Sequence, residues 1–238
     1  MADMRLLLLS NSRNYGKGYL EHAGEAIRDF LSAKVRDVLF VPYAVVRVPW
    51  DDATAMVAQR FRELGYELRS VHTAADPVAA VRGARAIAVS GGNTFHLLKT
   101  LYDTGLVDAI RAAARAGTPY MGWSAGANVA GPTIRTTNDM PIVEPPTLDA
   151  LALVPFQINP HYTDATIPSH GGETRGERLL EFTAANPGKP VIGLREGSML
   201  RLEGNRVTLL GDQPARLFLA KRDPWEVEAG GDIGFLMT

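Results

Sequence analysis

One serine stands where its hydroxyl can become a nucleophile. Gly122-Trp123-Ser124-Ala125-Gly126 has the spacing G-x-S-x-G, the pattern of a strand-to-helix turn that lifts a serine above the end of a sheet. Such a turn is crowded and needs glycine on both sides. It also aims the next backbone N–H, that of Ala125, at an incoming carbonyl oxygen. The pattern alone fits an ordinary glycine-rich turn equally well. Its context favours chemistry: the strand-like run Pro119 to Trp123 precedes it, and Ala127-Asn128-Val129-Ala130 can open a helix after it. Ser90-Gly91-Gly92-Asn93-Thr94 is a second turn of this kind. The N–H of Gly91 or Gly92, paired with that of Ala125, makes a candidate oxyanion hole. Asn93 in the same turn is a candidate substrate contact, with helix capping as its bland alternative. No P-loop lysine and no G-x-G-x-x-G accompany the turn, which argues against a phosphate cradle.

A serine hydroxyl needs a base. Of the five histidines, His22 and His96 fall on expected helices and His72 follows a strand; packing or surface roles are expected of these three. His161 sits in Ile158-Asn159-Pro160-His161-Tyr162-Thr163, where a proline and hydrogen-bonding neighbours can fix a ring. His170, in Ser169-His170-Gly171-Gly172-Glu173, is the alternative. A third group should orient the imidazole. Asp139 and Glu196 are the two carboxylates considered. Asp139 is narrowly favoured, because Arg135-Thr136-Thr137-Asn138-Asp139 is dense in polar groups able to fix a buried acid. No H-E-x-x-H or comparable spacing suggests a metal, and no cofactor is called for.

These residues need a scaffold that brings loops together. Strand patterns fall at Leu6 to Leu9, Val38 to Val41, Glu67 to Val71, Ala86 to Val89 and Pro119 to Trp123. Helical spacing fills the gaps at Tyr19 to Leu31, from Asp51-Asp52 through Met56, Val57, Phe61 and Leu64, after Asp76-Pro77, over Thr94 to Tyr102 and over Gly105 to Ala116. That alternation predicts βαβ units and a mainly parallel sheet flanked by helices. Ligands on such sheets bind beyond the carboxyl ends of the strands, where Ser10-Asn11-Ser12, Gly91-Gly92-Asn93 and Ser124 all lie. The stretch from Gly131 to Gly172 reads as a long irregular segment of the functional sort. A helix over Thr174 to Ala185 follows, then extra C-terminal strands at Val191 to Leu194, Met199 to Leu202, Val207 to Leu210 and Leu217 to Ala220. Residues 1–238 read as one α/β domain without repeat or linker.

Read in order, Leu8-Leu9-Ser10-Asn11-Ser12, Gly91-Gly92-Asn93-Thr94-Phe95, Gly122 to Asn128, Pro132 to Pro141, Ile158-Asn159-Pro160-His161 and Gly172-Glu173-Thr174-Arg175 resemble the peptidase E family, the α-aspartyl dipeptidases. The threonine-rich run is the most specific of these. The resemblance implies a fold similar to class I glutamine amidotransferases, with serine in place of their cysteine. It implies metal-free hydrolysis of Asp-X dipeptides by a homodimer, with Ser124 as nucleophile and His161 as base. Asp139 and Glu196 both fall on matching positions, and Arg175 is implied to meet the aspartyl side chain of the substrate. The chain departs from the family pattern at Arg195, where proline is usual, and at Ser198-Met199.

Composition narrows the field. The 238 residues carry 25 Lys+Arg against 26 Asp+Glu, a formal net charge of -1, so no basic surplus points to nucleic acid. No cysteine is present, which removes disulfides, thiolate metal sites and a cysteine nucleophile. The four leucines near the N-terminus are too few for a signal peptide, and no run reaches the roughly 18 apolar residues of a membrane span; a cytoplasmic protein is expected. Two rivals remain beside the dipeptidase reading. One is a related serine peptidase of different specificity, cyanophycinase-like; the other is a non-catalytic binder of small acidic metabolites.

Overall fold

The computed structural model describes residues 4–32, 35–166, 168–169 and 171–237. Strand β1 (Arg5–Leu9) shows how the sequence builds the centre. Its four leucines are all buried, Leu6 and Leu8 in one core and Leu7 and Leu9 in another, as the two-residue period of a strand requires. Buried on both faces, it must lie inside a covered sheet.

Seven strands form that sheet: β1, β2 (Asp37–Val41), β3 (Glu67–Ser70), β4 (Ile87–Val89), β5 (Tyr120–Trp123), β8 (Met199–Glu203) and β9 (Arg206–Leu210). Their spatial order is β3-β2-β4-β5-β1-β8-β9. The first five run parallel, while β8 and β9 are antiparallel additions joined at Gly204-Asn205. Helices α1 (Gly24–Leu31) and α2 (Trp50–Leu64) cover one face through Ile27, Phe30, Leu31, Val57, Phe61 and Leu64. On the other face lie α3 (Pro77–Arg82), α4 (Thr94–Asp103), α5 (Leu106–Arg115) and the short α6 (Ala125–Asn128). A second sheet, ordered β11-β10-β7-β6, is built from β6 (Gln157–Tyr162), β7 (Val191–Arg195), β10 (Ala215–Phe218) and β11 (Trp225–Val227). Its Ile158, Ile192, Leu194 and Leu217 join the same core as α4 and α5. Helix α7 (Arg175–Ala185) packs on this sheet through Leu179, beside Tyr162, Val191 and Phe218.

The α/β fold with a mainly parallel sheet and extra C-terminal strands is the one expected, with local corrections. The segment from Gly131 to Gly172 is not wholly irregular: it holds β6 and a bridge between Thr133 and Asp149. Pro160 hides this strand from a sequence reading, because proline cannot donate to a ladder. The strand tolerates it because β6 is an edge strand and the proline sits where the register with β7 shifts. Strand β11 goes unpredicted, being only three residues long. Helix α1 begins at Gly24 rather than Tyr19, after a run of turns. In α2 the buried face is Ala53, Val57, Phe61 and Leu64; Met56 lies off it and is 47% exposed. Asp51 and Asp52 sit in the first turn of α2 and not at its cap, which is Pro49.

Candidate active site

Ser124 links β5 to α6 with φ 53° and ψ -113°, a conformation sparsely populated by any residue with a Cβ. The flanking glycines are what permit it. A Cβ on Gly122 would lie 2.2 Å from the carbonyl oxygen of Gly126, and one on Gly126 would lie 2.3 Å from that of Val89. The turn is therefore held by backbone packed on backbone. The second glycine turn lies directly alongside, since a Cβ on Gly91 would come within 3.0 Å of the Cβ of Ser124.

The base candidate comes from the other sheet. Between Asn159 and Tyr162 the β6–β7 register shifts by one residue, Asn159 facing Gly193 and Tyr162 facing Arg195. His161 lies in this bulge with φ 53°, and bulges of this sort re-aim side chains. Its Nε2 is 2.9 Å from Ser124 Oγ and its Nδ1 is 2.8 Å from Glu196 Oε1. Glu196 occupies the turn that ends β7. Both side chains remain open, 40% exposed for His161 and 53% for Glu196.

Asp139 is not part of this chain of hydrogen bonds, contrary to the preference drawn from its polar surroundings. Its Oδ2 accepts from the Thr94 N–H at 2.7 Å, from Thr94 Oγ1 at 2.6 Å and from Thr137 Oγ1 at 3.2 Å. The polar density around it is real, but it serves to tie the threonine-rich segment to the start of α4. The alternative base, His170, lies outside the described residues.

Three backbone donors in the two glycine turns have no acceptor among the described residues: the N–H groups of Gly91, Gly92 and Ala125. Asn93, in contrast, has a protein partner at each polar atom of its side chain. Its Oδ1 accepts from the His96 N–H at 3.0 Å as the cap of α4, and its Nδ2 donates to the carbonyl of Met140 at 2.9 Å. Arg175 opens α7, directly after the capping box formed by Thr174 and Glu177. Its Nη1 is buried with no hydrogen-bond partner, and no carboxylate pairs with the guanidinium among the described residues. Burial, and then the nearby charge of Arg178, press its pKa below the usual arginine value.

The sequence profile of peptidase family S51 matches residues 6–210. The chain belongs to that family. It is accordingly a serine-type peptidase. Among its relatives, a peptidase E of Streptomyces coelicolor is 52% identical over 235 residues, covering 98% of this chain and 95% of the relative. A peptidase E of a Nostoc species is 46% identical over 233 residues, covering 98% and 96%. The fold is shared with the crystal structure of a peptidase from an acI-B1 actinobacterium, at TM-score 0.70 and 21% identity, covering 97% of this chain and 96% of that one.

Arg195 anchors a network next to the candidate site. It donates to Asp164 from Nε at 2.8 Å and to Glu226 from Nη1 at 2.7 Å, and it lies over the Tyr162 ring. Tyr162 donates its hydroxyl to Asp164 at 2.9 Å. Burial works against the Asp164 carboxylate, but Arg195, Tyr162 and Arg216 outweigh it and hold its pKa below the usual carboxylate range. The loop that leaves His161 is thereby bound to the strand that leads to Glu196. No spacing in the sequence marks this network, since Asp164, Arg195, Arg216 and Glu226 are scattered charges until the sheet assembles them.

Proposed function

We propose that the chain is a dipeptidase that releases N-terminal aspartate from Asp-X dipeptides through an acyl-enzyme on Ser124. The observation that carries this reading is the unbroken line of hydrogen bonds from Ser124 Oγ through His161 to Glu196. Ser124 Oγ attacks the peptide carbonyl carbon and its proton passes to His161 Nε2. Glu196 accepts the Nδ1 proton in a hydrogen bond and stabilises the imidazolium that forms. The N–H groups of Ala125 and of Gly91 or Gly92 receive the oxyanion. His161 returns the proton to the leaving amine, so residue X departs as a free amino acid. A water molecule then gives a proton to His161, attacks the ester carbon, and aspartate leaves as Ser124 regains its hydrogen.

Aspartate specificity rests on Arg175. A half-buried guanidinium with an unpaired, buried Nη1 is costly unless a carboxylate comes to it. A substrate side chain with a carboxylate supplies the bidentate partner that the protein withholds. The resemblance of the motifs to α-aspartyl dipeptidases supports the same reading, and the Streptomyces and Nostoc relatives named peptidase E support a peptidase. That resemblance also supports a homodimer working without a metal, while composition and the absence of repeats or linkers support a single cytoplasmic domain without a cofactor.

The test is turnover of an Asp-Leu type dipeptide, with and without chelator, by the native chain and by Ser124→Ala. The native chain should cleave it in both conditions. The variant should fold normally and lose at least about 10³-fold in kcat. Turnover retained by a pure Ser124→Ala protein defeats the mechanism.

A further inference from the structure

The last residue of β1 and the two that follow it bond, in turn, Ser124, His161 and the residues that flank Glu196. The Leu9 carbonyl accepts from the Ser124 N–H at 3.0 Å. The Ser10 hydroxyl accepts from the His161 N–H at 2.9 Å and donates to the Leu194 carbonyl at 2.8 Å. Asn11 Oδ1 accepts from the Gly197 N–H at 2.9 Å, while its Nδ2 is held by the Arg13 carbonyl and Asn14 Oδ1. Leu194 and Gly197 bracket Glu196, so β1 grips the acid's turn from both ends. Ser10 and Asn11 are buried.

Ser10 solves a problem that the bulge creates. Where β6 slips by one residue against β7, the His161 N–H loses its ladder partner, and a buried N–H needs another acceptor. A hydroxyl can accept one hydrogen bond and donate another from a single small atom. Ser10 does both, accepting from the bulge that bears the imidazole and donating to the strand that leads to Glu196. We infer that Ser10 is a positioning residue that sets the His161 ring against Glu196 and Ser124, with Asn11 fixing the turn of the acid. Ser10 touches no substrate; it acts through the backbone of His161. The inference rests on the reading of Ser124, His161 and Glu196 as a working relay.

The experiment compares Ser10→Ala, Ser10→Cys and Ser10→Thr with the native chain, each first checked for native near-ultraviolet dichroism. Four quantities are read: kcat, KM, melting temperature, and the downfield proton resonance of the His161–Glu196 hydrogen bond, identified by its absence from Glu196→Gln. A displacement of about 1 Å costs roughly 10²-fold in rate, so Ser10→Ala should lose about that in kcat. KM should stay unchanged and the downfield resonance should shift or vanish. Ser10→Thr, which restores the hydroxyl, should recover both. Ser10→Cys serves if the alanine variant does not fold, since it keeps the size and weakens the acceptor. Ser70→Ala, a buried serine on β3, is the control and should leave activity unchanged. A folded Ser10→Ala or Ser10→Cys with native kcat and an unmoved resonance overturns the inference. So does a fall in melting temperature with kcat and resonance intact, because Ser10 would then be structural only. Ser124→Ala separates the two levels. Turnover retained there removes the relay itself, whereas an inactive Ser124→Ala beside fully active Ser10 variants removes only the role of Ser10.

Discussion

Ser124 and His161 stand 37 positions apart in the chain, and His161 and Glu196 stand 35 apart; geometry alone pairs them. That geometry predicts unequal effects for the two carboxylates. Glu196→Gln should cut kcat steeply, because the amide can hold the imidazole in the wrong tautomer and cannot stabilise its cation. Asp139→Asn should leave kcat near native and instead lower the melting temperature, because it weakens the clasp on Thr94 and Thr137. A more damaging Asp139→Asn in kcat assays would reverse the assignment. Arg175 makes a prediction of its own. Removing a buried charge partner typically costs about 2–5 kcal/mol, so Arg175→Ala should reduce kcat/KM for Asp-X dipeptides by roughly 30-fold or more. The penalty should shrink for Asn-X and Ala-X substrates, which bring no charge to pair. Equal losses across the three substrates would make Arg175 a structural residue.

At the scale of elements, the candidate site is the meeting of three strand ends with the second sheet. The ends of β1, β4 and β5 supply Ser10, the glycine turn and the nucleophile, while the second sheet brings His161 and Glu196 to them. Helix α7 carries Arg175, the proposed aspartate contact, at its first position, and its capping box decides where the helix begins. Thr174 Oγ1 accepts from the Glu177 N–H at 3.2 Å, and the Glu177 carboxylate returns to the Thr174 N–H at 2.6 Å. The Thr174 N–H and then its hydroxyl, both donating to the Glu177 carboxylate, hold the pKa of Glu177 below the usual carboxylate range. Replacing a threonine cap by alanine typically costs about 1 kcal/mol. Thr174→Ala should lower the melting temperature accordingly in a thermal scan, whereas Thr174→Ser should retain most of the cap. Identical melting curves for the alanine and native chains would show that the box contributes nothing.

For the whole molecule, charge is nearly balanced, so pH acts through particular groups. His22 lies in the turn before α1, not on the helix itself, and both its ring nitrogens are buried without a hydrogen-bond partner among the described residues. Burial, helped by Lys17, holds its pKa below the ordinary histidine value, against the opposing pull of Asp212 and Glu196. The folded chain thus keeps this ring neutral where the unfolded chain, titrating near about 6.5, already takes up a proton. Stability is full above that value and falls as pH drops through it toward the lower folded pKa. The melting temperature should therefore decline from pH 7.5 to 5.5 in the native chain and decline less in His22→Phe. Parallel declines in both proteins would clear His22 of any part in it. Asp164, whose folded pKa is depressed, has the same sign but acts at lower pH: its contribution is present above the unfolded carboxylate value of about 3.9 and is lost in stronger acid.

Local chemistry made much of this protein legible in one dimension. The leucine run of β1, the alternation of strand and helix through α5, and the G-x-S-x-G turn each follow from periodicity and backbone sterics, which act over a few residues. His161 was also readable as the candidate base, from its proline and polar neighbours. The carboxylate that meets its ring was not. Asp139 has the richer sequence surroundings, and Glu196 sits alone after a strand. Only the pairing of β6 with β7, and the one-residue slip within it, brings Glu196 to the imidazole. Ser10 and Asn11 carried no chemical signal beyond their place at a strand end, because their partners lie 151 and 186 residues away. Sequence periodicity reports which face of an element is buried. Which loops meet is settled by sheet order and register, and those depend on contacts between residues that the chain keeps far apart.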